Sequence, residues 1–184
     1  MLQKLIRQME KLLSRSRFGI FIYARPYRAV IEREWGMLDL PPQARIVFVG
    51  AGAIPFTAIW LVRLYHCHVD AFDLDEEAIK RASRVVKKLK LSPYITLHHG
   101  SVTTALSSYD AAIVALQVKP LQTVIETLWS TGTHRVIVRR PSHTYRDAYD
   151  VLPNTYAVDD RVEHPFRALA ASALLKHPST SLND

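Results

Sequence analysis

The stretch "RIVFVGAGAIPFTAIWL", Arg45 to Leu61, constrains the fold more than any other part of the chain. A short apolar run, typical of a buried strand, leads into Gly50 and Gly52 and then into an apolar helical segment. Glycines at such a turn let the backbone approach a ligand closely, and the helix start offers free N–H groups. The stretch therefore predicts the strand, turn and helix of a nucleotide-binding α/β domain.

Pro55 distinguishes this turn from the common phosphate-binding loops. A full dinucleotide fingerprint carries a third glycine where this chain has Pro55, between the bulky Ile54 and Phe56. A P-loop needs a lysine after its glycines, and none follows here. The turn therefore favours a nucleoside without a pyrophosphate.

Strands and helices alternate along the rest of the chain. The predicted strands are "RIVFVG", "CHVDAFDLD", "YITLHHGS", "YDAAIVALQV", "HRVIVRR" and a final strand or strand pair, with helices in "PFTAIWLVRLY", "EEAIKRASRVVKKLK" and "PLQTVIETLWS". This alternation predicts an α/β fold with a mainly parallel sheet of about seven strands and helices on both faces.

Two helical segments precede the sheet in the sequence. The first is amphipathic, and "GIFIYARPYRAVIEREWGML" is predicted to form an extended piece, a turn near Pro26 and then a helix. We expect a short helical cap at 1–42, a nucleoside-binding domain at 43–178 and a loose tail at 179–184.

Composition narrows the classes of partner and compartment. The net charge is +7, but the basic residues are spread along the chain and fit solvated helix faces, so nucleic acid is not an expected partner. No segment is long and apolar enough to span a bilayer, and no secretion signal is evident. The single cysteine, Cys67, excludes an internal disulfide and fits the cytoplasm; we interpret it as a small buried residue.

Residues at the ends of the next strands complete the expected ligand site. Asp73 ends the second strand at the spacing of a carboxylate that accepts bonds from ribose hydroxyls, and Asp75 is predicted to cap the following helix. Together these strand ends resemble the S-adenosylmethionine site of Rossmann-like methyltransferases, although another nucleoside-binding Rossmann variant remains open. The expected ligand-binding residues are Gly50, Ala51, Gly52, Asp73, Leu74, Ser101, Val102, Leu116 and Gln117.

Several segments, in order, resemble one enzyme family. "VGAGAIPFT" is similar to the "VGSGPLPLT" loop of the nicotianamine synthases, "FDLDEEAIKRAS" to their "YDIDPSAN..AS", and "RRPSHTYR" to their "RSAHGxR". His164-Pro165 and Ser172 match the family's "HP…NS" close, and "RPYRAVIEREWGML" its "PYYxNYxxLxxxE…L". This chain departs from the family at Ala53-Ile54, at Ser101 in place of an aspartate and at Thr144 in place of a glycine.

The resemblance implies an enzyme that consumes S-adenosylmethionine by attack on the γ-carbon of its methionine part and releases methylthioadenosine. It places Tyr27 and Glu34 at the site, with Tyr23 as a further candidate, for proton acceptance and amine orientation. Alternatively, Tyr27 packs beside Pro26 and Glu34 lies on the surface. Arg140, His143 and Arg146 either hold the methionine carboxylate or brace the loop after the fifth strand.

The identity of the attacking amine stays open at this point. The cofactor's own α-amine would close a ring to azetidine-2-carboxylate, which a short cap favours, whereas a second small amine would receive a 3-amino-3-carboxypropyl group. The alternatives are a methyltransferase acting on a small molecule or RNA and a non-catalytic nucleoside-binding subunit. No metal is expected, because His66 and His68 lack further ligands. Trp35, Met37 and Leu38 belong either to a homodimer face or to the capped core.

Overall fold

The protein is described from a computed structural model that covers residues 17–102, 108–153, 155–175 and 177–178, with the backbone alone for 17–24. The predicted amphipathic helix before residue 17 and the tail at 179–184 lie outside these residues. The helices are α1 (Arg17–Leu38), α2 (Phe56–Tyr65), α3 (Glu76–Lys88) and α4 (Leu121–Ser130), with a 3-10 helix at His143–Ala148. The strands are β1 (Arg45–Val49), β2 (His68–Asp73), β3 (Ile95–His99), β4 (Ala111–Val114), β5 (Val136–Pro141), β6 (Val158–Glu163) and β7 (Leu169–Leu175).

The strands form one seven-stranded sheet in the order β3-β2-β1-β4-β5-β7-β6. The first five are parallel, and β7 is inserted antiparallel between β5 and β6. The chain order reverses between β1 and β4, so the carboxyl ends of these strands open a crevice where ligands bind in such sheets. The predicted mainly parallel α/β sheet is confirmed.

Alternate residues of each strand pack into two separate cores. Ile46 and Phe48 of β1 face α1, α2 and α3, whereas Val47 and Val49 face α4. Because the side-chain period of a strand is two, the continuous apolar run of β1 covers both faces of the sheet at once. This is the packing expected of a doubly wound fold.

The expected turn near Pro26 is wrong, since Pro26 lies inside the continuous helix α1. Proline inside a helix costs about 3 kcal/mol because it removes a backbone hydrogen bond and crowds the preceding turn. The buried residues Val30, Ile31 and Leu38 all follow Pro26 and would be buried equally by a helix that began there, so their packing does not explain the continuous helix.

The end of α1 belongs to the core of the molecule. Met37 and Leu38 are buried there, and Trp35 stacks on Tyr65 with ring centroids 4.1 Å apart. Cys67 is also buried, as predicted, and burial raises the pKa of its thiol to about 12. None of the helices in the described ranges has the length and hydropathy needed to cross a membrane.

Candidate active site

The turn after β1 requires glycine at its first position, because a larger residue would clash with its neighbours. Gly50 has φ +88°, and a Cβ built there would lie 2.9 Å from both Ala115 Cβ and Val118 Cγ2. Gly52 has φ +65° but open space around it. At position 50 only glycine allows both the positive φ and the close approach to Ala115 and Val118. The turn therefore packs directly against the end of β4.

Asp73 ties this turn to the end of β2. Its Oδ2 accepts a hydrogen bond from the Gly52 N–H at 2.6 Å, and its Oδ1 accepts one from the Asp75 N–H at 2.9 Å. A carboxylate has about four acceptor sites, so lone pairs remain for ligand hydroxyls. Asp75 caps α3 by accepting from the N–H groups of Glu77 and Ala78, which confirms its predicted role.

Two cavities open along the carboxyl ends of the strands and meet at Gly50 and Gln117, which line both. The apolar cavity, about 420 Å³, lies beside α4 and is lined largely by Phe72, Leu74, Val102 and other apolar groups. The cap cavity, about 440 Å³, lies under α1. Both volumes are within the range of small-molecule sites.

The residues expected to bind the ligand divide between these cavities. Asp73, Leu74, Ser101 and Val102 line the apolar cavity, whereas Ala51, Gly52 and Leu116 line the cap cavity. With the two shared residues, every member of the expected set lines one cavity or the other. The structure therefore brings the set together, and its contact with a ligand stays a prediction.

Tyr27 faces the cap cavity from α1. Its ring lies between Phe56, with centroids 5.0 Å apart, and Phe166, with centroids 6.2 Å apart. Pro55 immediately precedes α2, so that Phe56 opens the helix directly beside Tyr27. Tyr23 lies in the same helix, but its side chain is outside the described part of the structure.

A buried polar cluster lies behind the cap cavity. Arg139 donates from Nε and Nη2 to the two carboxylate oxygens of Glu34, each at 2.8 Å. Ser172 Oγ donates to Glu34 Oε1 at 2.6 Å, and His164 Nε2 lies 2.9 Å from Ser172 Oγ. All four residues are buried, so α1, β5, β7 and the loop after β6 are joined at one point.

The charges of this cluster follow from its hydrogen bonds. Burial by itself would lower the pKa of Arg139, but the Glu34 carboxylate raises it above its ordinary value, so the guanidinium stays charged. Burial lowers the pKa of His164 and favours the neutral ring. Because the single Ser172 hydrogen goes to Glu34, His164 Nε2 must carry a proton and donate to Ser172. His164 Nδ1 has no hydrogen-bond partner among the described residues.

Glu34 does not have the position expected from the sequence. We expected its carboxylate to contact the reacting amine or else to lie on the surface, yet Glu34 is completely buried. It does not line the cap cavity and reaches it only through Arg139. The surface interpretation is therefore wrong, and direct contact with a substrate would require Arg139 to move.

Arg140, His143 and Arg146 are grouped together, but away from Tyr27. They line a smaller cavity of about 170 Å³ beside the start of α4, which Arg139 also lines. Successive side chains of a strand point to opposite faces, so Arg139 turns toward the cap and Arg140 turns away from it. Sequence reasoning missed Arg139, although the two-residue period of "HRVIVRR" separates the two arginines.

The histidine pairs have ordinary structural partners. His98 Nε2 lies 2.8 Å from Asp70 Oδ1, and His99 Nε2 lies 3.2 Å from the Leu74 carbonyl. His68 packs against Tyr94. Among the residues that the structure describes, no group of three or more His, Cys, Asp or Glu side chains could hold a metal ion.

Sequence comparisons identify related proteins. The family described as "Nicotianamine synthase protein" matches residues 4–163. Nicotianamine synthase 3 of Oryza sativa subsp. indica is 28% identical over 147 residues, which cover 70% of this chain and 42% of the plant protein. The L-histidine 2-aminobutanoyltransferase of Pseudomonas aeruginosa (strain UCBPP-PA14) is 36% identical over 62 residues, 32% of this chain and 24% of that protein. The chain thus spans less than half the length of these curated relatives.

Solved structures share the fold. A variant of MtNAS in complex with S-adenosylmethionine superimposes with a TM-score of 0.81 at 17% identity, covering 94% of this chain and 72% of the other. An RNA methyltransferase from Salinibacter ruber in complex with S-adenosyl-L-homocysteine gives a TM-score of 0.63 at 14% identity, covering 80% and 89%. The fold is therefore the Rossmann-like fold of S-adenosylmethionine-dependent methyltransferases.

Proposed function

The chain belongs to the nicotianamine synthase family, and on this premise we propose that it consumes S-adenosylmethionine by amine attack on the γ-carbon of the methionine part. The observation that carries the proposal is the meeting of the two cavities at Gly50 and Gln117. The nucleoside would occupy the apolar cavity, with Asp73 on the ribose hydroxyls and the exposed Leu74 beside the base. The methionine part would then extend past Gly50 into the cap cavity.

In this reaction a neutral amine forms a bond to the γ-carbon while the bond between that carbon and sulfur breaks. The electron pair stays on sulfur, so the positive sulfonium becomes the neutral thioether of methylthioadenosine. The amine nitrogen carries the positive charge until it releases a proton. The chain must therefore align the amine with the γ-carbon and receive that proton.

We assign amine orientation and proton relay to Tyr27, whose ring is fixed between Phe56 and Phe166 at the cap cavity. Its hydroxyl oxygen accepts the amine proton while its own proton passes to water. Glu34 is assigned a positioning role through Arg139, in place of the direct proton acceptance expected from the sequence. Tyr23 remains a candidate from the sequence alone.

The attacking amine has two possible sources. The α-amine of S-adenosylmethionine itself would give azetidine-2-carboxylate, and a second small molecule would receive the 3-amino-3-carboxypropyl group. The Pseudomonas relative is named an L-histidine 2-aminobutanoyltransferase, which supports transfer to an amino-acid amine. An incubation of the purified protein with S-adenosylmethionine distinguishes the two sources directly.

Methylthioadenosine and a cyclic imino acid from S-adenosylmethionine alone would establish cyclisation. Methylthioadenosine that forms only after an amine is added would establish transfer. S-adenosylhomocysteine as the by-product would refute the proposal and indicate a methyltransferase.

The role of Tyr27 is tested by Tyr27→Phe, which keeps the aromatic stack and removes the hydroxyl. We expect unchanged S-adenosylmethionine binding and a kcat roughly 10²- to 10⁴-fold lower. The matched control is Tyr94→Phe, a substitution of an exposed tyrosine beside β3. An unchanged kcat in Tyr27→Phe would show that the hydroxyl has no part in proton transfer.

A further inference from the structure

The charges that line the cap cavity all have one sign. Its described lining residues include Arg139 and Arg167 but no aspartate or glutamate. The first turn of α2, at Phe56 and Thr57, also lines it, and the N-terminal end of a helix carries a partial positive charge. The cavity is therefore electrostatically suited to an anionic group.

Arg139 still has donors available for such a group. A guanidinium has five N–H groups, and Glu34 accepts one from Nε and one from Nη2. Nη1 makes no hydrogen bond with the part of the chain that the structure describes. Glu34 thus offsets the charge of Arg139 but leaves three of its donors unused.

The guanidinium is also held in one orientation before any ligand arrives. Ser172 and His164 fix Glu34 from behind, and the Phe48 ring centroid lies 5.8 Å from the guanidinium carbon. The residue is only 7% exposed, and it lines the cap cavity. Donors fixed in this way lose little conformational entropy when they bind a carboxylate.

We propose that Arg139 binds the α-carboxylate of the methionine part of the substrate, with Glu34, Ser172 and His164 as the residues that position its guanidinium. This assignment rests on the proposed function, because it takes S-adenosylmethionine as the molecule that bridges the two cavities. It replaces Arg140, His143 and Arg146 as the carboxylate-binding group, because these three line only the smaller cavity beside α4, whereas Arg139 lines both that cavity and the cap cavity. It makes a carboxylate-bearing nucleoside thioether or sulfonium the ligand class of the site.

The test compares three thioethers that the enzyme does not turn over. S-adenosylhomocysteine carries the carboxylate and the amine, its decarboxylated analogue keeps only the amine, and methylthioadenosine lacks both. Isothermal titration calorimetry gives the affinity for each ligand. We expect the natural chain to prefer S-adenosylhomocysteine over its decarboxylated analogue by roughly 10- to 100-fold, as for a charge-assisted hydrogen bond.

Two variants remove the proposed contact in different ways. Arg139→Lys keeps the charge opposite Glu34 but loses the planar fork, and should lower the preference about tenfold. Glu34→Gln with Arg139→Gln removes both buried charges together and should abolish the preference. In both, affinity for methylthioadenosine should stay within about twofold of the natural value. The matched control is Arg135→Gln, because Arg135 lies just before β5, at the opposite end of the strand from the cap cavity.

The possible results separate the proposal from its alternatives. Equal losses for all three ligands would mean that Arg139 only supports the fold, and an unchanged preference would mean that it does not touch the carboxylate. Loss of the preference in Arg140→Gln instead would restore the carboxylate role to that arginine. Failure of the proposed reaction would appear separately, as S-adenosylhomocysteine formed in the turnover assay, while the binding ratio still reports on Arg139.

Discussion

Replacement of Glu34 by alanine should strongly destabilise the protein. The substitution leaves the Arg139 guanidinium buried without its counter-charge and deprives Ser172 Oγ of the acceptor 2.6 Å away. Breaking a buried ion pair from one side costs about 3–5 kcal/mol, which is a large part of the 5–15 kcal/mol typical of a domain. We therefore expect Glu34→Ala to lower the urea midpoint strongly.

The same helix offers a matched control. Glu32 and Arg28 form an ion pair at 2.9 Å, close to the Glu34–Arg139 distance, but both side chains are about half exposed. An exposed pair at this spacing contributes only about 0.3–0.5 kcal/mol, so Glu32→Ala should barely change the free energy of unfolding.

A double variant separates charge burial from packing. Glu34→Leu with Arg139→Met replaces the pair by apolar groups of similar size but still deprives the buried Ser172 hydroxyl of its acceptor, so it should cost at most about 1–3 kcal/mol. Urea unfolding followed by circular dichroism gives all three values. If Glu34→Ala costs as little as Glu32→Ala, the pair is not buried as described and the reasoning fails.

Three further outcomes follow from the geometry. Gly50→Ala should lower the free energy of unfolding by about 2–4 kcal/mol, because the position has positive φ and the new Cβ would lie 2.9 Å from two side-chain atoms. Gly52→Ala should cost only about 1–2 kcal/mol, since it adds backbone strain alone. Urea midpoints of the two variants give the comparison. Burial lowers the pKa of His164 in the folded protein below 6.5, so the unfolded chain binds more protons. The free energy of unfolding should therefore fall as the pH drops below about 6.5. In urea titrations, His164→Gln should make this decline smaller. Asp73→Ala should weaken S-adenosylhomocysteine binding roughly 10- to 100-fold by calorimetry, and an unchanged affinity would exclude a ribose contact.

The sheet and the glycine turn could be predicted because their signals are local. An apolar strand, two glycines and a helix specify the turn at Gly50 in one short segment, and Asp73 follows at the end of the next strand. Proline at position 26 is an equally local signal, but it was misleading. The helix α1 continues through it despite a cost of about 3 kcal/mol, and the buried residues that the structure describes on this helix all follow the proline.

The buried cluster could be predicted only in part, because it joins residues far apart in the chain. The family resemblance singled out Glu34, His164 and Ser172, yet it did not reveal that they meet. Nothing in the sequence distinguished Arg139 from its neighbour Arg140 as a candidate site residue. Only the register of β5 decides which of the two arginines faces α1. Burial of a charged side chain depends on its partner, and the sequence alone does not specify that partner.

The buried ion pair between Glu34 of α1 and Arg139 of β5 also limits the routes by which a ligand can enter and leave the cap cavity. Lifting α1 away from the sheet would separate Glu34 from Arg139 and expose Val30, Ile31 and Leu38, whose burial contributes about 1.5–3 kcal/mol each, so fewer than about one molecule in a hundred would be open in this way. The helix α1 therefore stays packed over the cap cavity. We expect a ligand to enter and leave instead through the side formed by Tyr149, Phe166 and Arg167, which also line the cap cavity.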